Sequence, residues 1–209
     1  MRVTVGVAAR LTSGVDTGAE ASWVSGLRSG EPGAFDAVFA AYRTRIFGYL
    51  VRMTRRRDVA EDLLQEAFLR LAQHGRRLAA DTRLGAWLFT VAHRLVLSWV
   101  RAQQVRAALA GDLPGADGHA DADAAAAPDP SPLDALAESR TQLALERAFA
   151  ALPPAHREVA LLVGVEGMQP AEVAEILGLR ADAVRQRLAR ARAQLAEALG
   201  DHAPARRSS

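Results

Sequence analysis

No cysteine occurs among the 209 residues, so a disulfide framework, a thiolate zinc site and a thiol nucleophile are all excluded. Lysine is missing too. All 26 cationic side chains are arginines, which barely titrate, and this lifts the pI to about 9.8 although the formal net charge is only +2. A GC-rich coding bias is the bland reason for that choice. Aromatic residues make up 5% of the chain and runs of Val, Ile, Thr and Tyr are short, which leaves little material for sheets. Alanine and leucine are abundant, and both favour helices. Long apolar runs are lacking as well. The stretch Val3, Val5, Val7, Ala8, Ala9 is interrupted by Arg10 and Asp16, too short for a membrane span and poorly formed as a signal peptide. The chain reads as soluble and cytoplasmic, without membrane insertion, and residues 1–29 read as a disordered leader. His74, His93, His119, His156 and His202 are scattered singly, with no metal-ligand spacing and no phosphate-binding glycine loop. No metal site, cofactor or catalytic residue is expected, and an enzyme is disfavoured.

What is present falls into two helical blocks around a segment of different composition. From Gly111 to Pro132 the sequence GDLPGADGHADADAAAAPDPSP has no bulky apolar residue after Leu113. It cannot build a core, and residues 107–132 read as a flexible acidic linker. Before it, apolar residues recur at three- and four-residue spacing over about Gly33–Thr54, Asp58–Gln73 and Leu84–Val105. Asp58 is a plausible N-cap with Glu61 as its capping partner, and Gly75 a plausible helix stop. The polar stretch His74–Arg83 reads as a loop. After the linker the pattern predicts helices over about Leu133–Leu152, Pro154–Val163, Pro170–Leu177 and Asp182–Leu199, with Pro153-Pro154 ending one helix and starting the next. The fold class is all-α, two small helical domains. Residues 201–209 read as a disordered tail.

Three segments carry chemistry. Pro170–Leu195 has helix-turn-helix grammar: a short apolar helix, Gly178 in the turn, then a helix with Val184, Leu188 and Leu195 turned inward. That second helix carries Arg185, Arg187, Arg190 and Arg192, cations able to reach guanine edges and phosphates, or else to form a solvated face. In the second helix Asp58, Asp62 and Glu66 fall at four-residue spacing beside Glu61 and Gln65. A carboxylate stripe repels DNA; it serves solubility or docks a basic partner. In Leu84–Arg106, Trp87, Phe89 and Trp99 mix with His93, Arg94, Arg101 and Arg106, a combination suited to single-stranded nucleic acid. Trp87 also fits a core, since it opens an apolar face with Val91 and Leu95.

Taken in order, these segments resemble the extracytoplasmic-function (ECF) group of the sigma-70 family. AFDAVFAAYRTRIFGYL, DVAEDLLQEAFLRLAQ and AWLFTVAHRLVLSWVR are similar to sigma region 2, over about residues 30–106. ALPPAHREVALLVGVEGMQPAEVAEILGL followed by DAVRQRLARAR is similar to sigma region 4, over about residues 133–200. The resemblance implies a promoter-recognition subunit that binds core RNA polymerase. Asp58, Glu61, Asp62, Gln65 and Glu66 would dock on the β′ clamp helices, and region 4 on the β flap. Trp87, His93, Arg94, Ser98 and Arg101 would meet the −10 element, with an extruded base against the His74–Arg83 loop. Arg185, Gln186, Arg187, Ala189 and Arg190 would read the −35 element in duplex DNA. An anti-sigma factor is an expected partner. The family pattern Ala-Arg-Asn with a later Asp is here Ala92-His93-Arg94 with Ser98, so no promoter sequence carries over. The start of the recognition helix departs as well, reading Asp182-Ala183-Val184-Arg185-Gln186-Arg187. About 30 flexible linker residues span roughly 30 Å on average and at most about 100 Å. Two promoter elements need on the order of 50 Å, so the tether reaches. The competing reading is a free-standing helix-turn-helix regulator whose first domain binds a partner.

Overall fold

A computed structural model describes residues 17–110 and 132–200, and among them every regular element is helical. The order is α1 (Thr17–Ser29), α2 (Ala34–Thr54), α3 (Arg57–His74), a 3-10 turn at Gly75–Arg77, and α4 (Leu84–Ala110). After the linker come α5 (Pro132–Ala151), α6 (Pro154–Val159), a π-wound continuation (Ala160–Val165), α7 (Pro170–Leu177) and α8 (Ala181–Gly200).

In the N-terminal block, α2 buries Val38, Tyr42, Ile46 and Leu50, spaced to share one face. Against that face lie Phe68 and Leu71 of α3 and Leu84, Leu88, Phe89, Ala92 and Val96 of α4. The α2–α3 turn is tight. Arg55 takes a left-handed conformation (φ 57°) and its N–H bonds Val51 O at 2.8 Å. The Thr54 hydroxyl bonds Leu50 O at 2.8 Å and accepts the Arg56 N–H at 3.3 Å.

The expectation of a disordered leader through residue 29 is corrected over Thr17–Ser29, while residues 1–16 lie outside the described residues. Val24 and Leu27 of α1 are buried, and Trp23 meets Tyr42 edge-on with ring centroids 6.5 Å apart. Glu20 accepts the backbone N–H groups of Leu84 and Gly85 at 3.2 and 3.3 Å, and also the Tyr42 hydroxyl. A carboxylate there satisfies two orphan donors and complements the dipole of α4. Gly85 makes this possible, since a Cβ would stand 3.2 Å from the Tyr42 hydroxyl and 3.4 Å from Glu20. Burial and Glu20 push the Tyr42 hydroxyl far above its usual range.

Two further readings need correction. Asp58 is not the N-cap of α3: the helix begins at Arg57, Arg56 stands at the cap position, and Asp58 pairs with Arg56 from the first turn. The linker does not begin at residue 107, because α4 continues to Ala110, and Pro132 already opens α5. The expected linker at 111–131 and tail at 201–209 lie outside the described residues.

In the C-terminal block Pro154 takes the first turn of α6, as the sequence predicts. Gly178, at φ 64°, caps α7, and Leu179 N–H bonds Ala174 O at 2.8 Å, the six-to-one bond of a Schellman turn. Val184, Leu188 and Ala191 of α8 turn inward. The two blocks share one continuous set of buried residues, α7 lying on α4 and α6 touching α2.

Candidate docking and nucleic-acid interfaces

The α3 carboxylates do not act as one stripe. Asp62, Gln65 and Glu66 rim a shallow hollow of about 530 Å³ whose floor holds Phe35, Phe68 and Leu69. Leu69 is half in water at 51% exposure, and Phe39 is exposed nearby, stacked beside Phe35. Asp58 and Glu61 stand outside the hollow and are occupied by neighbours, Asp58 by Arg56 and Glu61 by Arg57 at 3.0 Å. The Arg56 guanidinium, through its hydrogen bond, and the Val59 N–H hold the Asp58 carboxyl below the usual carboxylate range. Glu66 keeps an i,i+4 pair with Arg70 at 2.9 Å. Acid at the rim and apolar surface in the floor together accept an amphipathic helix bearing cations.

On α4 the expected strand-binding residues separate. Trp87 is half-buried in a seam with Ala67, Val91, Leu95 and Leu63, so its ring braces α3 against α4. Arg94, Ser98 and Arg101 are exposed, and Trp99 is half-buried. His93 is turned toward the C-terminal block, its Nδ1 2.7 Å from Glu158 Oε1. In the stretch before α4, His74 closes α3, Gly75–Arg77 form the 3-10 turn, and Leu78 is buried. Arg83 reaches across to Glu172 and Glu175 of α7.

On α8, Arg185, Gln186, Ala189 and Arg190 are exposed, whereas Arg187 is half-buried. Arg185, Ala189 and Arg192 border a hollow of about 480 Å³ with Met168, Gln169 and Pro170 from the turn before α7. Asp182 holds the Arg185 guanidinium one turn away. A guanidinium so braced is already fixed in direction before it meets a base edge.

Sequence reasoning missed Glu20, Arg157 and the acids Glu146, Glu158, Glu166, Glu172 and Glu175, each acting on a group distant in the chain. Arg157 is 5% exposed and donates to four carbonyls. Burial and the neighbouring Arg55 lower its pKa. Glu166 is pushed above the usual carboxylate range by burial, against the pull of Arg45. Among the described residues no helix is long and apolar enough to cross a membrane.

Residues 38–106 match the family described as Sigma-70 region 2, and residues 142–195 match Sigma-70, region 4. The RNA polymerase sigma factor CarQ of Myxococcus xanthus is 34% identical over 174 residues, covering 83% of this chain and 94% of CarQ. The ECF RNA polymerase sigma factor SigW of Bacillus subtilis is 25% identical over 175 residues, covering 84% and 94%. The probable RNA polymerase sigma factor RfaY of Xanthomonas campestris is 36% identical over 164 residues, of which it is the longer partner: the chain spans 39% of RfaY. Among solved structures, the sigma factor RpoE of Bartonella quintana, in complex with the anti-sigma factor NepR, superposes with a TM-score of 0.64 at 21% identity, covering 80% of this chain and 98% of that one. CnrH, in complex with the cytosolic domain of CnrY, gives 0.61 at 22% identity, covering 89% and 99%. At those identities the two structures speak to the fold alone.

Proposed function

This chain belongs to the sigma-70 family, in its extracytoplasmic-function group, and from that membership we propose which of its surfaces does what. It directs promoter-specific initiation by RNA polymerase. It carries no catalytic residue of its own, the phosphoryl-transfer chemistry staying with the polymerase in the cytoplasm. The α3 hollow docks core polymerase on the β′ clamp helices through Asp62, Gln65 and Glu66. The C-terminal block sits on the β flap and presents Arg185, Gln186, Ala189 and Arg190 to the −35 duplex. The exposed side of α4 meets the opened −10 strand with Arg94, Ser98 and Arg101. An anti-sigma factor is the natural protein competitor for these surfaces. The observation that carries the docking assignment is the acid-rimmed apolar hollow, which combines complementary charge with apolar area to bury.

Run-off transcription on templates drawn from a randomised promoter library tests this reading. Transcripts are expected only when core polymerase and this protein are both present, and the protein alone is expected to bind the same duplexes weakly. Two reading helices joined by a long linker lose entropy when both are placed on DNA, a cost that docking offsets. Tight, sequence-specific duplex binding by the chain alone would overturn the reading in favour of a free-standing regulator.

Arg185 and Arg192 separate base reading from phosphate contact. With holoenzyme and a set of single-base promoter variants, Arg185→Ala is expected to cost about 1–3 kcal/mol at one position and to relax preference there. Arg192→Ala is expected to weaken binding alike on every variant. Equal, sequence-blind losses would make Arg185 a phosphate ligand only.

A further inference from the structure

Where the two blocks meet, charge is sorted by sign. Arg45 Nε lies 2.7 Å from Glu166 Oε2, and Arg52 Nη2 lies 2.5 Å from Glu146 Oε1. Arg83 lies 2.6 Å from Glu175 and 3.5 Å from Glu172. The Tyr49 hydroxyl donates to Glu158 Oε1 at 2.5 Å, and His93 Nδ1 shares that oxygen at 2.7 Å. Among the described residues every ion pair across this seam takes its nitrogen from the N-terminal block and its carboxylate from the C-terminal block.

The seam is graded from inside to outside. The side chains of Glu158, His93 and Glu166 are 10%, 12% and 9% exposed, while Arg83 and Glu175 at one end are 55% and 70% exposed. A carboxylate withdrawn from water is tolerated only while its partners stay in place. Parting the seam returns Glu158 and Glu166 to solvent, so the contact can open without stranding a buried charge. An apolar interface of the same extent lacks that reversibility, since opening it exposes its whole area to water.

The covered groups are selective. Arg83, at the start of α4, and His93 on it belong to the surface assigned to the opened strand, and both are held by carboxylates. The α3 hollow remains open to solvent, and so do Arg185, Gln186 and Arg190 of α8.

We propose that the free chain is self-inhibited by this seam: carboxylates of the C-terminal block occupy cationic positions on and beside α4 that phosphates of the opened strand take in the initiating complex. The identity of that strand rests on the sigma-factor reading; the closure itself does not. Because the docking hollow stays free, the closed chain can engage core polymerase first, and the seam parts afterwards.

The absence of cysteine allows a direct test. Spin labels on Ala79→Cys and Ala171→Cys, two exposed positions on opposite sides of the seam, report its separation in the full chain. One narrow distance population is expected with the native acids. Replacing Glu146, Glu172 and Glu175 by Gln is expected to lengthen and broaden it, as is Glu158→Gln. Rising salt should do the same to the native acids without any substitution, since the outer pairs are screened. The triple Gln variant is expected to bind a random-sequence 12-nucleotide single strand about tenfold more tightly at low salt. A long, broad distribution with the native acids, or distances and strand affinity unchanged in the triple variant, would overturn the proposal. Run-off transcription with core polymerase, measured alongside on the native chain, tests the sigma-factor reading separately, so failure of one leaves the other standing.

Discussion

Reversing both Asp62 and Glu66 to arginine is expected to abolish association with core RNA polymerase while leaving helical circular dichroism unchanged. Asp62 is exposed, and Glu66 is 41% exposed with a single surface partner in Arg70. Losing that i,i+4 pair and placing two arginines a turn apart costs the fold a few tenths of a kcal/mol. The docking hollow suffers far more. Its rim changes from complementary to repulsive against a basic helix, and each side chain also blocks the approach to Phe35, Phe68 and Leu69 below it. Removing one partner of a close interfacial charge pair costs on the order of 2–5 kcal/mol. Two reversals therefore weaken core binding at least about 100-fold. Native gel shift or fluorescence anisotropy with labelled core measures this directly. Reversing Asp58 and Glu61 serves as the internal comparison. Both are engaged by Arg56 and Arg57 away from the hollow, so a much smaller loss is expected. Normal holoenzyme formation by the Asp62, Glu66 double reversal would reduce the rim acids to a solvated face.

The largest expected loss of stability comes from Arg157. Its Nε donates to Phe149 O at 2.9 Å, and Nη2 donates to Ala150 O and Leu152 O at 2.8 and 2.9 Å. Nη1 crosses to the other block and donates to Arg52 O at 3.1 Å. Three of these acceptors lie at the C-terminal end of α5, where the helix itself supplies no donors. Arg157→Met keeps much of the volume but leaves those carbonyls without their donors in a buried place. The expected cost is about 3–5 kcal/mol, read by urea denaturation, with a drop in melting temperature on the order of 10 °C. Arg157→Lys should recover only part, since an ammonium cannot match the planar fork. A cost below about 1 kcal/mol for the Met variant would mean that water takes over the four bonds.

Helix positions could be read from the chain because apolar spacing survives in each segment. Val38, Tyr42, Ile46 and Leu50 mark α2 without help from any distant residue. The proline pair at 153–154 and Gly178 place their turns for equally local reasons, a blocked N–H and a positive φ. α1 escaped because its inward face is short, essentially Trp23, Val24 and Leu27, and follows a stretch with no clear period. The signal that could have found it is Glu20 ahead of that apolar group, with the turn residues Gly30, Pro32 and Gly33 behind it.

The sites divide in the same way. Charge along α3 was visible, but the separation of Asp62, Gln65 and Glu66 from Asp58 and Glu61 depends on Phe35 arriving from α2 to complete the hollow. His93 stood out by its place on an aromatic and basic helix, yet nothing near it announces Glu158, 65 residues away. The seam acids look like ordinary helix-surface glutamates until the tertiary fold brings arginines to them. Pairings between residues that far apart leave no local spacing to detect.

The π-wound stretch Ala160–Val165 has a consequence for register. Its N–H groups reach one residue further back than in an α-helix, with Glu166 N–H on Leu161 O at 2.9 Å, so six residues hold one more than regular winding requires. Everything downstream is thereby turned about the α6 axis by roughly one residue's angle, near 100°. Deleting a single residue from this stretch would allow it to relax into plain α-helix while leaving every side chain of α7 and α8 intact. The reading head would then be chemically complete but rotated out of phase with the rest of the molecule, like a key cut correctly and set askew on its shaft.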